Sequence, residues 1–215
     1  MKKTLFFVIL FAVGAAIYFL QLPSAVEPVV DTVATQHGLP WQIELRDGSS
    51  RVFGITLGVS TLADATTVIN RDFELAILAK HKQVGALEIF YRDFMAGQLQ
   101  GKLILVVDVD DALLTSLIDG AASGEMLDNG TKKFQLAEQQ LASVQQLLIR
   151  SITFAPTARL DREMIEQRFG VAPFTEAANE SVNHYLYPEL GLDILIDDNG
   201  KDLLEYVAPK KFGLP

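Results

Sequence analysis

The chain has 215 residues, of which 49% are hydrophobic and 21% charged, so it carries enough apolar side chains for a packed core. Its formal net charge of −9 argues against a nucleic-acid-binding protein, because an acidic surface repels phosphate. The sequence contains no cysteine, which excludes disulfides, thiolate metal sites, a catalytic thiol and a lipid-modified N-terminal cysteine.

The first 22 residues have the pattern of a targeting segment. Lys2 and Lys3 precede an apolar run from Leu5 to Leu20. The run is longer than the core of a signal peptide, about 7–15 residues, and close to the roughly 17–25 residues of a spanning helix. We therefore predict a single-pass transmembrane anchor in the inner membrane, with the C-terminal domain in the periplasm. The alternative is a signal peptide that is cleaved to release the protein into the periplasm.

Residues 23–40 are predicted to be a linker, because three prolines interrupt them. The stretch WQIELRDGSSRVFGITL then indicates two strands joined at Asp47-Gly48. A short helix is predicted within GVSTLADATTVI, where Asp64 follows Thr61 by three residues in a capping pattern. Three strands are predicted after this helix, at FELAILAK, ALEIFYRDF and GKLILVVDVD.

Two further helices are predicted in the middle of the chain, at DALLTSLIDG and LAEQQLASVQQLLI. A helix at TARLDREMIEQRFG then precedes three more predicted strands, VNHYLY, LDILID and LLEYVA. Asn199-Gly200 between the last two strands is a strong hairpin signal. The sequence thus predicts an α+β fold of two tandem units, each a short helix followed by a three-stranded antiparallel meander. The first unit would span 41–134, and the second, with a connecting helix, 135–215.

A short helix that follows a glycine turn and ends near Phe-Gly and a proline, followed by an antiparallel meander, resembles the small outer-membrane-assembly lipoprotein (SmpA/OmlA) family. The resemblance covers Gly58 to Ile69 in the first unit and Leu160 to Pro173 in the second, which includes Phe169-Gly170. Two such units in tandem are similar to the β-lactamase inhibitor protein fold. Proteins of these folds mostly bind other proteins, so the resemblance implies binding rather than catalysis.

The sequence has no recognisable catalytic, cofactor or metal motif. His37, His81 and His184 lack a second ligand at metal-binding spacing, and there is no nucleophile elbow, P-loop or dinucleotide fingerprint. The one cluster that could hold a hard cation is Asp108, Asp110 and Asp111. It fails the EF-hand pattern, and we predict that Asp110 or Asp111 caps the following helix instead. We therefore predict no catalytic, cofactor or metal site.

Three aromatic residues, Trp41, Tyr185 and Tyr187, are the candidate partner-binding residues. The alternative is that these aromatic side chains cover the sheet by packing on a helix or on the other unit. We predict a non-enzymatic envelope protein that binds another envelope protein in an accessory or assembly role. A periplasmic small-ligand or lipid-binding protein is the first alternative, and it would need an apolar cavity between sheet and helices. An enzyme is the second, and it would need acids such as Asp108 and Asp110 to converge in a cleft.

Overall fold

The structure is a computed structural model that describes residues 38–80 and 85–213. The predicted anchor or signal segment at 1–22 lies outside the described residues, as do His37, His81 and all of the predicted linker before Gly38. Within the described ranges, no helix combines the length and the apolar character needed to cross a membrane.

The described residues form thirteen strands, four α-helices and one 3-10 helix at Pro209–Lys211. The strands are β1 (Glu44–Arg46), β2 (Ser49–Val52), β3 (Ile55–Thr56), β4 (Glu74–Lys80), β5 (Ala86–Ala96), β6 (Leu99–Val107), β7 (Ser123–Met126), β8 (Thr131–Gln135), β9 (Ile149–Pro156), β10 (Phe174–Ala177), β11 (Val182–Tyr187), β12 (Leu192–Asp197) and β13 (Leu203–Val207). The helices are α1 (Leu62–Val68), α2 (Asp111–Asp119), α3 (Glu138–Val144) and α4 (Arg162–Phe169).

Ten of these strands form one continuous antiparallel sheet. Their order is β10-β11-β12-β13-β9-β6-β5-β4-β8-β7, while β1, β2 and β3 form a separate small sheet. The central strand β9 pairs with β13 on one side and with β6 on the other. The meander β4-β5-β6 and the meander β11-β12-β13 are therefore joined edge to edge through a single strand.

The prediction of an α+β fold made of two tandem helix-plus-meander units is wrong. The described chain is mostly β, with only four short helices, and β9 merges the two meanders into one sheet. The helix predicted to run to Ile149 ends at Val144, and Ile149 instead begins β9. The apolar residues of that stretch recur at helical spacing. As the start of β9, however, Ile149 and the residues after it pair with β6 and β13, which also satisfies backbone groups of those two strands.

The four helices and the small sheet contribute to one hydrophobic core on one face of the large sheet. Each helix contributes buried apolar side chains to it, among them Leu62, Leu114, Val144 and Ile165. The aromatic centre of this core consists of Phe53, Phe94, Phe154 and Tyr206, with Phe53 5.1–5.9 Å from the other three ring centroids. Because strand residues alternate between faces, the intervening residues of β5, β6, β9 and β13 point to the opposite face.

Candidate functional site

An open cleft lies where the start of the described chain meets the end of α4. Its lining comes from three segments: residues 38–42, the β5–β6 hairpin and the last turn of α4. The lining residues are Gly38, Leu39, Trp41, Gln42, Gly97, Gln98, Leu99 and Arg168. The cleft volume of about 530 Å³ lies within the range of small-molecule pockets.

The segment that carries Trp41 is fixed by hydrogen bonds at both of its ends. The backbone N–H of Leu39 donates to Gln42 Oε1 at 2.6 Å, and the N–H of Gln42 donates to the carbonyl of Leu39 at 2.9 Å. The buried Tyr206 hydroxyl donates to the Pro40 carbonyl at 3.0 Å and so ties the segment to the core. Trp41 is therefore held on a short turn, which lowers the entropy it would lose on binding.

The other side of the cleft is formed by Arg168, whose guanidinium lies over the Trp41 ring at 4.4 Å from its centroid. A cation over an indole face is attracted by the ring quadrupole, by about 0.5–1 kcal/mol at an exposed site. Arg168 lies in the last turn of α4, where a positive charge also suits the helix dipole. The pair thus places an aromatic ring and a positive charge next to each other at the cleft.

Beneath the cleft, α4 packs closely on the sheet. The space among Phe154, Ile165, Phe169 and Leu204 amounts to about 10 Å³, which could hold one water molecule at most. The α4 wall of the cleft is therefore supported by a filled core, and the helix–sheet interface at this position offers no room for a carried ligand.

The structure separates the three predicted partner-binding residues. Trp41 lines the cleft. Tyr187 is 4% exposed, packs its ring 5.7 Å from that of Phe169, and donates its hydroxyl to the Gly170 carbonyl at 2.8 Å. Tyr185 is half-buried against the same core. The two tyrosines therefore lie on the helix side of the sheet and do not join Trp41 in one exposed aromatic cluster.

Arg168 and the exposed apolar residues beside α4 were not identified from the sequence. Val171, two residues after the end of α4, is 75% exposed, and Phe174, the first residue of β10, is 48% exposed. Met164, on α4, lies near Trp41 and Arg168. The sequence did contain one signal for these residues. Apolar residues continue after Gly170, where the helix ends, so their side chains do not belong to the buried face of the helix.

The acidic cluster that was considered as a cation site has a structural role. The Asp110 side chain accepts from the Leu113 N–H at 2.8 Å and caps α2, which confirms the predicted cap. Asp108 forms an ion pair with Lys211 at 3.6 Å. Among the described residues, no group of three or more His, Asp or Glu side chains could hold a metal ion.

His184 is paired with a carboxylate on the neighbouring strand. Its Nδ1 lies 2.8 Å from Asp193 Oδ2. This hydrogen bond outweighs partial burial and raises the pKa of His184 above its usual value. The pair lies on the face of the sheet opposite the helices, away from the Trp41 cleft.

Comparison with known proteins gives no relative from which a role could be assigned. No family model, curated protein or solved structure matches the chain. The resemblance to the SmpA/OmlA family therefore stays a prediction from the sequence.

Proposed function

We propose that this chain is a non-enzymatic periplasmic protein, anchored in the inner membrane by its N-terminal segment, that binds another envelope protein through the Trp41 cleft. The observation that supports this most directly is the stacked pair of Trp41 and Arg168 at an open cleft. Tryptophan and arginine are the residue types most enriched at the energetic centres of protein interfaces.

The composition of the cleft indicates the kind of partner segment that it would bind. The apolar part of the cleft lining consists of Leu39, Leu99 and the Trp41 ring, and the positive charge of the lining comes from Arg168. A partner segment with an apolar side chain next to a carboxylate would satisfy both features, because Arg can bind a carboxylate while its face stays on the indole.

Replacing Trp41 by Ala is expected to weaken partner binding by roughly 30-fold or more, the usual loss at a central interface tryptophan. The measurement is the yield of a specific crosslinked complex in membranes that carry the variant. Arg168→Lys keeps the charge but loses the planar contact, so it should show an intermediate loss.

Met126→Ala is the matched control, because Met126 is 69% exposed on β7, the strand at one edge of the large sheet. This variant should form the complex as the parent protein does. Equal complex formation by Trp41→Ala and Met126→Ala would contradict a role for the cleft.

The small-ligand or lipid-binding alternative was predicted to need an apolar cavity between the sheet and the helices. At the α4 interface this space is about 10 Å³, so the helix side of the sheet does not favour that alternative there. An open cleft suits a polypeptide partner better than an enclosed small ligand.

A further inference from the structure

The large sheet has a second buried face, opposite the helices. The strand residues that alternate with the core positions point to this face, and at the centre of the sheet many of them are apolar. Leu78, Phe90, Ile104, Val106 and Leu203 lie on this face, and each is at most 3% exposed. The burial extends over the neighbouring strands β13, β9, β6, β5 and β4.

The elements that the structure describes do not account for this burial. The four α-helices and the small sheet all contribute side chains to the core on the other face. The ten strands form a single layer, and the centre of a single layer is buried on both faces only when further residues pack on each of them. Because a lone chain shows this burial, the covering residues belong to the same chain and lie outside 38–80 and 85–213.

The part of the chain before Gly38 is long and apolar enough to be this cover. The other candidates, residues 81–84 and 214–215, are too short to extend over five strands. The apolar run from Leu5 to Leu20 supplies side chains of the required kind. In helical form this run would measure about 24 Å, and five strands spaced by about 4.8 Å span about 19 Å.

The described chain also begins at a place from which this face can be reached. Gly38 and Leu39 line the same cleft as Gly97 and Gln98, which lie in the turn between β5 and β6. This turn is at one end of the strands, where a chain can pass from one face of the sheet to the other. Residues 21–37 can extend over roughly 55 Å, which is enough to bring the apolar run onto the opposite face.

The surface of this face suits an apolar covering segment. On β9 the face carries the small side chains of Ser151, Thr153 and Ala155, between larger ones on β6 and β13. These small residues allow a covering segment to approach the sheet closely. The carboxyl group of Glu88 lies on the same face, and burial raises its pKa to about 8, so that it is mostly uncharged at neutral pH.

We propose that the apolar run Leu5–Leu20 has two alternative binding sites, the lipid bilayer and the face of the large sheet opposite the helices, and that its insertion into the membrane uncovers this face. Away from the membrane, packing of the run on the sheet removes both apolar surfaces from water. In the anchored form the same face becomes an exposed apolar surface. The inference rests on the membrane anchor of the proposed function and is independent of partner binding at the Trp41 cleft.

The test is photo-crosslinking of the full chain made by cell-free synthesis. A photoreactive phenylalanine analogue replaces Phe11, in the middle of the run, and separate variants carry it at Phe6 or Phe19 on other sides of the run. Without membranes, irradiation should give mainly an intrachain adduct that maps to peptides of β5, β6, β9 or β13. Synthesis in the presence of phosphatidylcholine–phosphatidylglycerol vesicles should reduce this adduct and give lipid adducts in its place.

The matched control carries the analogue at Met126, which is exposed on the edge strand β7 and should give no adduct to β6 or β9 under either condition. The proposal would be overturned if none of the three positions in the run gave an intrachain adduct, or if the adducts joined two chains. An intrachain adduct that vesicles leave unchanged would also overturn it. Complex formation at the Trp41 cleft is measured separately, so none of these outcomes would decide that question.

Discussion

Replacing Glu88 by Gln is expected to stabilise the protein at pH 8 and to leave its stability near pH 4 almost unchanged. Glu88 is 2% exposed, and burial raises its pKa to about 8 against the opposing charge of Arg150. The folded protein therefore keeps a proton on Glu88 at pH values where the unfolded chain has lost it.

The sign of the pH effect follows from this difference in proton binding. Between the ordinary glutamate pKa and about 8, the unfolded chain binds fewer protons at Glu88 than the folded protein. The free energy of unfolding should then fall by about 1.4 kcal/mol per pH unit, or roughly 5 kcal/mol in all, and level off above pH 8. Glutamine cannot ionise, so the variant should lose this contribution.

Urea unfolding between pH 4 and pH 8.5 measures this effect directly. Burial also raises the pKa of Glu205, so a residual slope of the same sign should persist in Glu88→Gln and shrink further in the double variant with Glu205→Gln. Glu189→Gln should leave the slope unchanged. Parallel stability curves for the parent protein and Glu88→Gln would show that Glu88 is ionised in the folded state.

The second large effect is expected from Phe154→Ala in β9. Phe154 is fully buried, and its ring lies 5.7 Å from that of Phe53 and 5.9 Å from that of Phe94. Truncation of a buried phenylalanine costs about 3–5 kcal/mol through lost burial and the cavity left behind. Because β9 pairs with a strand of each meander, both halves of the sheet should lose stability together.

Urea unfolding followed by Trp41 fluorescence and by far-UV circular dichroism tests this prediction. The two signals should shift together to lower urea in Phe154→Ala. Val171→Ala, at a residue that is 75% exposed, should change stability by less than about 0.5 kcal/mol. Two separate transitions, only one of them shifted, would indicate that the halves fold independently.

Local signals in the sequence predicted several elements well. The Thr61 and Asp64 capping pattern forms a reciprocal capping box at α1. Asp47 and Gly48 both adopt positive φ in the turn between β1 and β2, as a tight hairpin requires. These features depend on residues close together in sequence, so the sequence alone contains the information needed.

The assembly of the sheet could not be predicted in the same way. The polar strands β7 and β8 have no apolar alternation, and β8 is held in place by its pairing with β4. The apolar residues before β9 recur at helical spacing, whereas those of β9 itself follow a strand pattern. Only the pairing of β9 with β6 and β13 decides where the helix ends and the strand begins. The predicted boundary between residues 134 and 135 falls within β8.

The sequence analysis named Trp41 as a candidate partner-binding residue but predicted no cleft, because the geometry of the cleft is non-local. Trp41 was selected as an aromatic residue near the start of the folded region, but the residues that complete the cleft come from the β5–β6 hairpin and α4. Nothing in the spacing of the sequence places Arg168 over Trp41. Conversely, Tyr187 looked available from its residue type, and the fold buries it against Phe169.

The most direct test of the proposed function is photo-crosslinking from inside the cleft. A photoreactive phenylalanine analogue replaces Gln98, which lines the cleft, and a second variant carries it at Met126 as the control. Irradiation of intact cells should give one discrete adduct from position 98 that disappears when Trp41→Ala is added. No adduct from position 98, or the same adducts from both positions, would contradict partner binding at this cleft.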